Sequence, residues 1–364
     1  MKILYYFMQF SSPMFLWQND NIVDELRHHS IYVDIFNPLN FQSLEQANEE
    51  LVRHISENEY DLFMTCHSDE VLFIDAIKRI KKLNIPTLLI CFDNLLIPYQ
   101  HKRICRYFDL VWLTSEENQN LFKKWGATTV FLPYAANPYY YRPSANNEIE
   151  RVCFIGTPYG SRVNTINELV NSGINVSLFG KPTNGNQPKH EMTKGYIKTI
   201  SDDLRFPIGR KLLLSAVKQR IGKHAILNDK SPYIRHEGFA EDMSLIYSQY
   251  ALALSTTTAR NTGVLKQPVP VVNLRSFEIP MSGGIQFCEY NSELATYFED
   301  EKEIIFYYNE HDMIEKAKYY LRPDNCTIRD NIRANARKRA ETEHTWYARF
   351  IRIFDILNLS VDVE

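Results

Sequence analysis

Residues 274–290 read LRSFEIPMSGGIQFCEY. An arginine and a glutamate stand three apart, a proline follows, then Ser-Gly-Gly, then an apolar run. A plain amphipathic core helix has no need of that charge pair, and the Gly-Gly reads as a stop followed at once by a strand. If the helix begins near Ser276, its free backbone N–H groups favour an anion. Glu278 in that first turn repels a phosphate placed directly on it, yet it can accept two hydrogen bonds from a vicinal diol such as that of ribose. Gly283 and Gly284 remove side chains where a backbone or a ligand must pass closely. The structural alternative is a surface salt bridge between Arg275 and Glu278, worth about 0.5 kcal/mol or less.

Outward from this stretch, strand-like and helix-like segments alternate along most of the chain. KILYYFM, IYVDIF, YDLFMTC, PTLLICF, FDLVWLT and TTVFLP read as strands, with helices over 14–29, 43–57, 69–83, 98–106 and 116–125 between them. Such alternation implies βαβ units and a parallel sheet covered on both faces. The near-continuous apolar runs at 86–92 and 109–113 belong in its centre. Residues 133–150, with three prolines and an Asn-rich tail, have linker composition. RVCFIG then restarts the alternation, which runs through helices at 161–172, 240–249, 292–298 and 310–321 and ends in two tail helices within 325–358. The expected fold is α/β, with two tandem Rossmann-like domains and ligands at strand carboxyl ends in the cleft between them.

The bulk properties agree. The 364 residues exceed one ordinary core, and 45% apolar with 23% charged residues is a soluble globular balance. A net charge of −3 argues against a general nucleic-acid coat. Six cysteines without a C-x-x-C read as buried free thiols of a reducing cytoplasm. The apolar start is broken by Gln9 and Ser-Ser-Pro, so neither a signal peptide nor a membrane span is expected. One segment departs from the alternation, the insertion at 181–235. It opens with the loop KPTNGNQPKHE and is rich in Arg and Lys among Leu, Ile and Val. It reads either as a solvated helical insertion or as a surface for anionic lipid headgroups or a polyanionic acceptor.

Three further places carry chemistry. In FIGTPYGSR (154–162) a strand ends at Gly156, a turn holds Tyr159, and a helix begins near Ser161. That offers phosphate a helix N-terminus and the Arg162 fork, although a plain tight turn explains the glycines equally well. CFDN (91–94) sets Asp93 and Asn94 at a strand's carboxyl end, and CHSDE (66–70) sets His67 at another, with His101 on the next helix. Asp69 is a plausible N-cap. No internal D-x-D, zinc signature, G-x-S-x-G elbow or Walker lysine is present.

Taken together, VCFIGTPYGSR, HEGFAEDMSLIYSQYALALS, LRSFEIPMSGGIQF, EIIFYYNEHDMIEKAKYYL and HTWYARF resemble the CgeB-type glycosyltransferases, a bacterial group of the two-Rossmann (GT-B) superfamily. The resemblance covers the second half outside the insertion and is looser in the first, at FDN, FDLVWLTSEENQNLFKKWGA and LPYAANP. It implies an acceptor domain over 1–145, joined by a C-terminal helix at 345–364, and a donor domain over 146–344. It also implies a nucleotide-diphosphate sugar as donor substrate with no permanently bound cofactor, and a glycan, lipid-linked or surface-polysaccharide acceptor. Glu278 matches the glutamate that binds the donor ribose, and Arg162, Arg275 and Gly156 match positions near the diphosphate. Tyr247 to Ser255 match the pocket wall. A second glutamate of retaining relatives is replaced by Pro270. Asp93 or His67 would orient the acceptor or take its proton. Fixed dipoles and Arg162 would stabilise the leaving diphosphate without metal. The place of action would be the cytoplasm or the inner membrane face. The competing readings are a sugar-nucleotide epimerase of the same fold and a non-catalytic scaffold.

Overall fold

The computed structural model describes residues 1–9, 13–144, 148–180, 194–221 and 225–360. The loop expected at 181–191 lies outside them. The chain divides into two compact units, Met1–Asn137 with Thr345–Glu364, and Pro138–His344.

The first unit is built on β1 (Lys2–Tyr6), β2 (Tyr32–Phe36), β3 (Leu62–Thr65), β4 (Thr87–Cys91), β5 (Leu110–Leu113) and β6 (Thr129–Phe131), with helices α1 (Pro13–Gln18), α2 (Asp24–His28), α3 (Leu44–Glu57), α4 (Ile74–Lys81) and α5 (Gln119–Lys124). All strand pairs are parallel, in the order β2-β1-β3-β4-β5-β6. Every residue of β3, β4 and β5 is buried, the consequence of apolar runs covered on both faces. The Ser43 hydroxyl caps α3 by accepting the Gln46 N–H at 3.2 Å. Because β2 and β3 flank β1, the direction of winding reverses between β1 and β3, and ligands of open α/β sheets bind at such reversals.

The second unit contains β7 (Ile149–Ile155), β8 (Val176–Phe179), β9 (Ile234–Gly238), β10 (Tyr250–Leu254), β11 (Gln286–Glu289) and β12 (Ile305–Tyr307), with helices α6 (Ser161–Asn171), α7 (Lys194–Asp203), α8 (Pro207–Ile221), α9 (Met243–Gln249), α10 (Arg275–Met281), α11 (Glu310–Tyr320) and α12 (Cys326–Glu343). Its sheet is parallel, in the order β12-β11-β10-β7-β8-β9. Counted from its own first strand this is the dinucleotide-fold order, with the reversal between β7 and β10. The last helix, α13 (Trp346–Ile356), belongs to the first unit. The Glu25 carboxylate, fully buried, caps it by accepting the Trp346 and Tyr347 N–H groups at 3.1 and 2.9 Å. Burial pushes that carboxyl up to about 8, against the pull of the two N–H groups.

Several local expectations are corrected. The segment expected to be helical over 69–83 is helical only over α4, whose N-cap position is Phe73. Asp69 is not its cap; it pairs with Arg103 at 2.8 Å. Residues 98–106 form two short 3-10 turns, and 292–298 a single one at Leu294–Thr296. Among the described residues no helix is long and apolar enough to cross a membrane.

Candidate functional site

At the reversal of the second sheet, the carboxyl ends of β7 and β10 part. A small solvent-open crevice lies there, lined by Phe154, Ile155, Arg162, Leu254, Ser255, Thr256, Asn273 and Arg275. Four of these groups come from separate stretches: the strand ends at 154–155 and 254–256, the first turn of α6, and the start of α10. The backbone permits this meeting through Gly156, whose φ of +140° suits glycine alone and whose Cα faces Arg275 Nη2. Gly160, at φ +56°, packs so closely on Asn261 that a Cβ there would stand 2.6 Å from its Oδ1.

The pocket is electropositive by construction. The Arg162 guanidinium lies over the Tyr159 ring, 4.3 Å from its centroid, and reaches the Thr157 carbonyl at 3.3 Å. Burial lowers its pKa and the neighbouring Arg275 charge lowers it further, so the two guanidiniums repel each other across the pocket. The Tyr247 oxygen and Glu278, both beside Arg275, raise its pKa against the cost of burial. Within the pocket two buried donors stand without hydrogen-bond partners among the described residues, Ser255 Oγ and Arg275 Nε. Buried polar groups are nearly always paired, so such donors where two cations meet mark where an anion with several acceptor oxygens completes the site.

The expected free N–H groups of the α10 first turn are not free. Asn273 Oδ1 accepts the Arg275 N–H at 3.0 Å, Asn273 O accepts that of Ser276, and Leu274 O accepts those of Phe277 and Glu278. The turn therefore presents side chains, not backbone, to a ligand. Glu278 is 3% exposed, which removes the surface salt-bridge reading, and its Oε1 accepts the Tyr141 hydroxyl at 2.8 Å. Gly283 and Gly284 do not line the pocket. Gly283 takes φ +73° to end the helix, with the Gly284 N–H returning to Ile279 O at 2.9 Å. A Cβ on Gly284 would stand 2.7 Å from the Tyr247 carbonyl oxygen. Tyr247 lies behind Arg275 and is 1% exposed. Pro270, at the position of the missing glutamate, forms an antiparallel bridge with Thr258.

In the first unit, Asp93 is exposed on the loop after β4, while its neighbour Asn94 is a staple. Asn94 donates to Ser115 O at 2.7 Å and accepts the Thr114 and Ser115 N–H groups at 2.9 and 3.0 Å. His67 stands at the β1/β3 reversal, where its Nε2 accepts the Met8 N–H at 2.9 Å. The proton therefore sits on Nδ1, and burial with the nearby His101 pushes the imidazole down to about 4. His67 thus offers an N–H at Nδ1, while its Nε2 is engaged by Met8. His101 is itself buried, its Nε2 donating to Cys66 O at 3.0 Å.

Sequence reasoning named Ser255 as pocket wall but missed Thr256 and Asn273. Asn273 carried a signal, since an asparagine two residues before a helix is a capping residue and here also ties the Thr256 carbonyl at 3.0 Å.

Residues 210–355 match a family described as glycosyl transferase-like. Anabaena HepE, solved with UDP, superposes over 98% of this chain and 100% of its own, with 16% identity and a TM-score of 0.60. AviGT4, a glycosyltransferase of avilamycin A biosynthesis, covers 98% of this chain and 97% of its own at 14% identity and a TM-score of 0.56. The fold is GT-B. A glycosyltransferase of Rickettsia africae extends the likeness, covering 99% of both chains at 11% identity and a TM-score of 0.56. Identities this low make the likeness one of GT-B architecture. No curated protein matches the chain in sequence.

Proposed function

We propose that this GT-B chain is a glycosyltransferase of the CgeB type. It moves a sugar from a nucleotide-diphosphate donor to a glycan, lipid-linked or surface-polysaccharide acceptor, without a metal. The observation that carries this reading is the pocket at the β7/β10 reversal, where Arg162 and Arg275 stand together beside the buried, unpartnered Ser255 hydroxyl. A diphosphate supplies the charge and the acceptor oxygens that this arrangement lacks. HepE, described in complex with UDP and with UDP-glucose, supports the same ligand class on the same fold.

The chemistry follows from charge. As the glycosidic bond breaks, negative charge grows on the diphosphate, and two fixed guanidiniums stabilise it without reorganising. Glu278 accepts the ribose hydroxyls, its carboxylate oriented by Tyr141. Asp93 orients the acceptor hydroxyl or takes its proton. The reading is tested by incubating the protein with a panel of nucleotide sugars, with and without candidate acceptors. Acceptor-dependent nucleotide release supports it, an epimerised donor without acceptor favours an epimerase, and no release from any donor favours a scaffold. Glu278→Ala is expected to weaken UDP binding by about 1–3 kcal/mol and to leave 2′,3′-dideoxy-UDP nearly unaffected. Equal losses for both ligands would assign Glu278 to holding Arg275 instead.

A further inference from the structure

Helix α8 presents an unusual outer face. Residues 204–221 contain Arg205, Arg210, Lys211, Lys218 and Arg220 and no acid, in a chain whose net charge is −3. The inner side of the helix is settled by Gly209, Leu212 and Ser215, all buried. Leu214, Val217 and Ile221 point the other way and are 51%, 52% and 81% exposed. At 3.6 residues per turn these three fall within an arc of about 60°, together with Arg210. Lys211 and Lys218 flank the arc on one side and Arg220 on the other. None of those three flanking cations has an acidic partner among the described residues.

A helix face exposed only to water has no use for three aliphatic side chains in one stripe. A polyanionic glycan would engage the cations and leave the stripe idle. An anionic bilayer engages both, since the aliphatic groups enter the interface while Lys and Arg stems lie along it and bring their charges to the phosphate level. We propose that α8 is a membrane-docking helix that lies flat on anionic lipid. The inference stands on α8 alone and does not depend on the donor pocket.

The test is co-sedimentation of the full chain with phosphatidylcholine vesicles, with and without phosphatidylglycerol, across a salt series. Dextran sulfate serves as a lipid-free polyanion. The expected result is binding that needs phosphatidylglycerol and weakens with salt. The triple variant Leu214→Ser, Val217→Ser, Ile221→Ser should lose about tenfold in vesicle affinity and nothing toward dextran sulfate. Lys211→Gln, Lys218→Gln, Arg220→Gln should lose at least as much toward both. Vesicle binding unchanged in the aliphatic variant overturns the proposal and assigns the face to a polyanion. No vesicle binding by the unaltered chain overturns it outright, as does a stripe covered by a second copy, seen as dimers in sedimentation velocity that the aliphatic variant abolishes.

Discussion

The two sheets reverse their winding at different places and leave different chemistry there. At the β1/β3 reversal most polar groups are spent on the chain itself: His67 accepts from Met8, His101 donates to Cys66 through Nε2 while its buried Nδ1 has no partner among the described residues, and Thr65 donates to Tyr6 at 2.9 Å. At the β7/β10 reversal two guanidiniums meet, each tied to the chain only in part, with Ser255 Oγ and Arg275 Nε left without partners among the described residues. The contrast teaches that topology offers a site twice, and that side-chain satisfaction decides which offer is open to an anion. The proposed function divides the labour along the same line, with donor binding in the second unit and Asp93, on an exposed loop of the first, as the acceptor's base.

The sharpest way to break this division is Asp93→Asn. Transfer rate should fall by about 10²–10⁴-fold, the range for loss of a general base, with nucleotide affinity unchanged in calorimetry. A parallel loss of nucleotide affinity would place Asp93 on the donor side. Arg162→Ala should do the converse, costing UDP affinity about 2 kcal/mol with little effect on thermal stability, because its ties are local, to the Thr157 carbonyl and the Tyr159 ring.

His67→Gln sharpens the other half of the comparison. The folded imidazole titrates near 4 and the unfolded one near 6.5. Its contribution is therefore complete above about pH 6.5 and is lost as pH falls toward 4, because the unfolded chain takes up the proton first. The variant keeps an acceptor for Met8 and should lack that acid-side slope, a difference of about 3 kcal/mol in urea unfolding at pH 4 against pH 7. Identical slopes would mean that His67 is not the closed, neutral group described. Gly284→Ala completes the series. Crowding of the Tyr247 carbonyl should lower stability by about 1–2 kcal/mol while the folded protein binds UDP as before. A selective loss of UDP binding would restore this glycine to the ligand site.

Much of the fold was legible because apolar strand runs and capped helices are local signals. TLLIC and LVWL announce buried parallel strands, and each appears as one. Strand order is not local, so the reversal that brings Arg162 to Arg275 was invisible in the letters, although each arginine drew attention by its setting. The closure of His67 was illegible for another reason. Its partner is the Met8 backbone N–H, a group every non-proline residue carries. Thr256 is a common residue type, and only the parting of the strand ends makes it informative. The α10 turn was misread because Asn273, which closes it, lies one residue before the stretch chosen.

The central claim is that Arg162 and Arg275 create a diphosphate site in the second unit. Calorimetric titration of the intact chain with UDP and with uridine, repeated on Arg275→Ala, tests it most directly. The account predicts UDP tighter than uridine by about 100-fold or more, with most of that ratio gone in the variant. Equal affinities for the charged and neutral ligand, or a ratio that survives loss of the guanidinium, would contradict it.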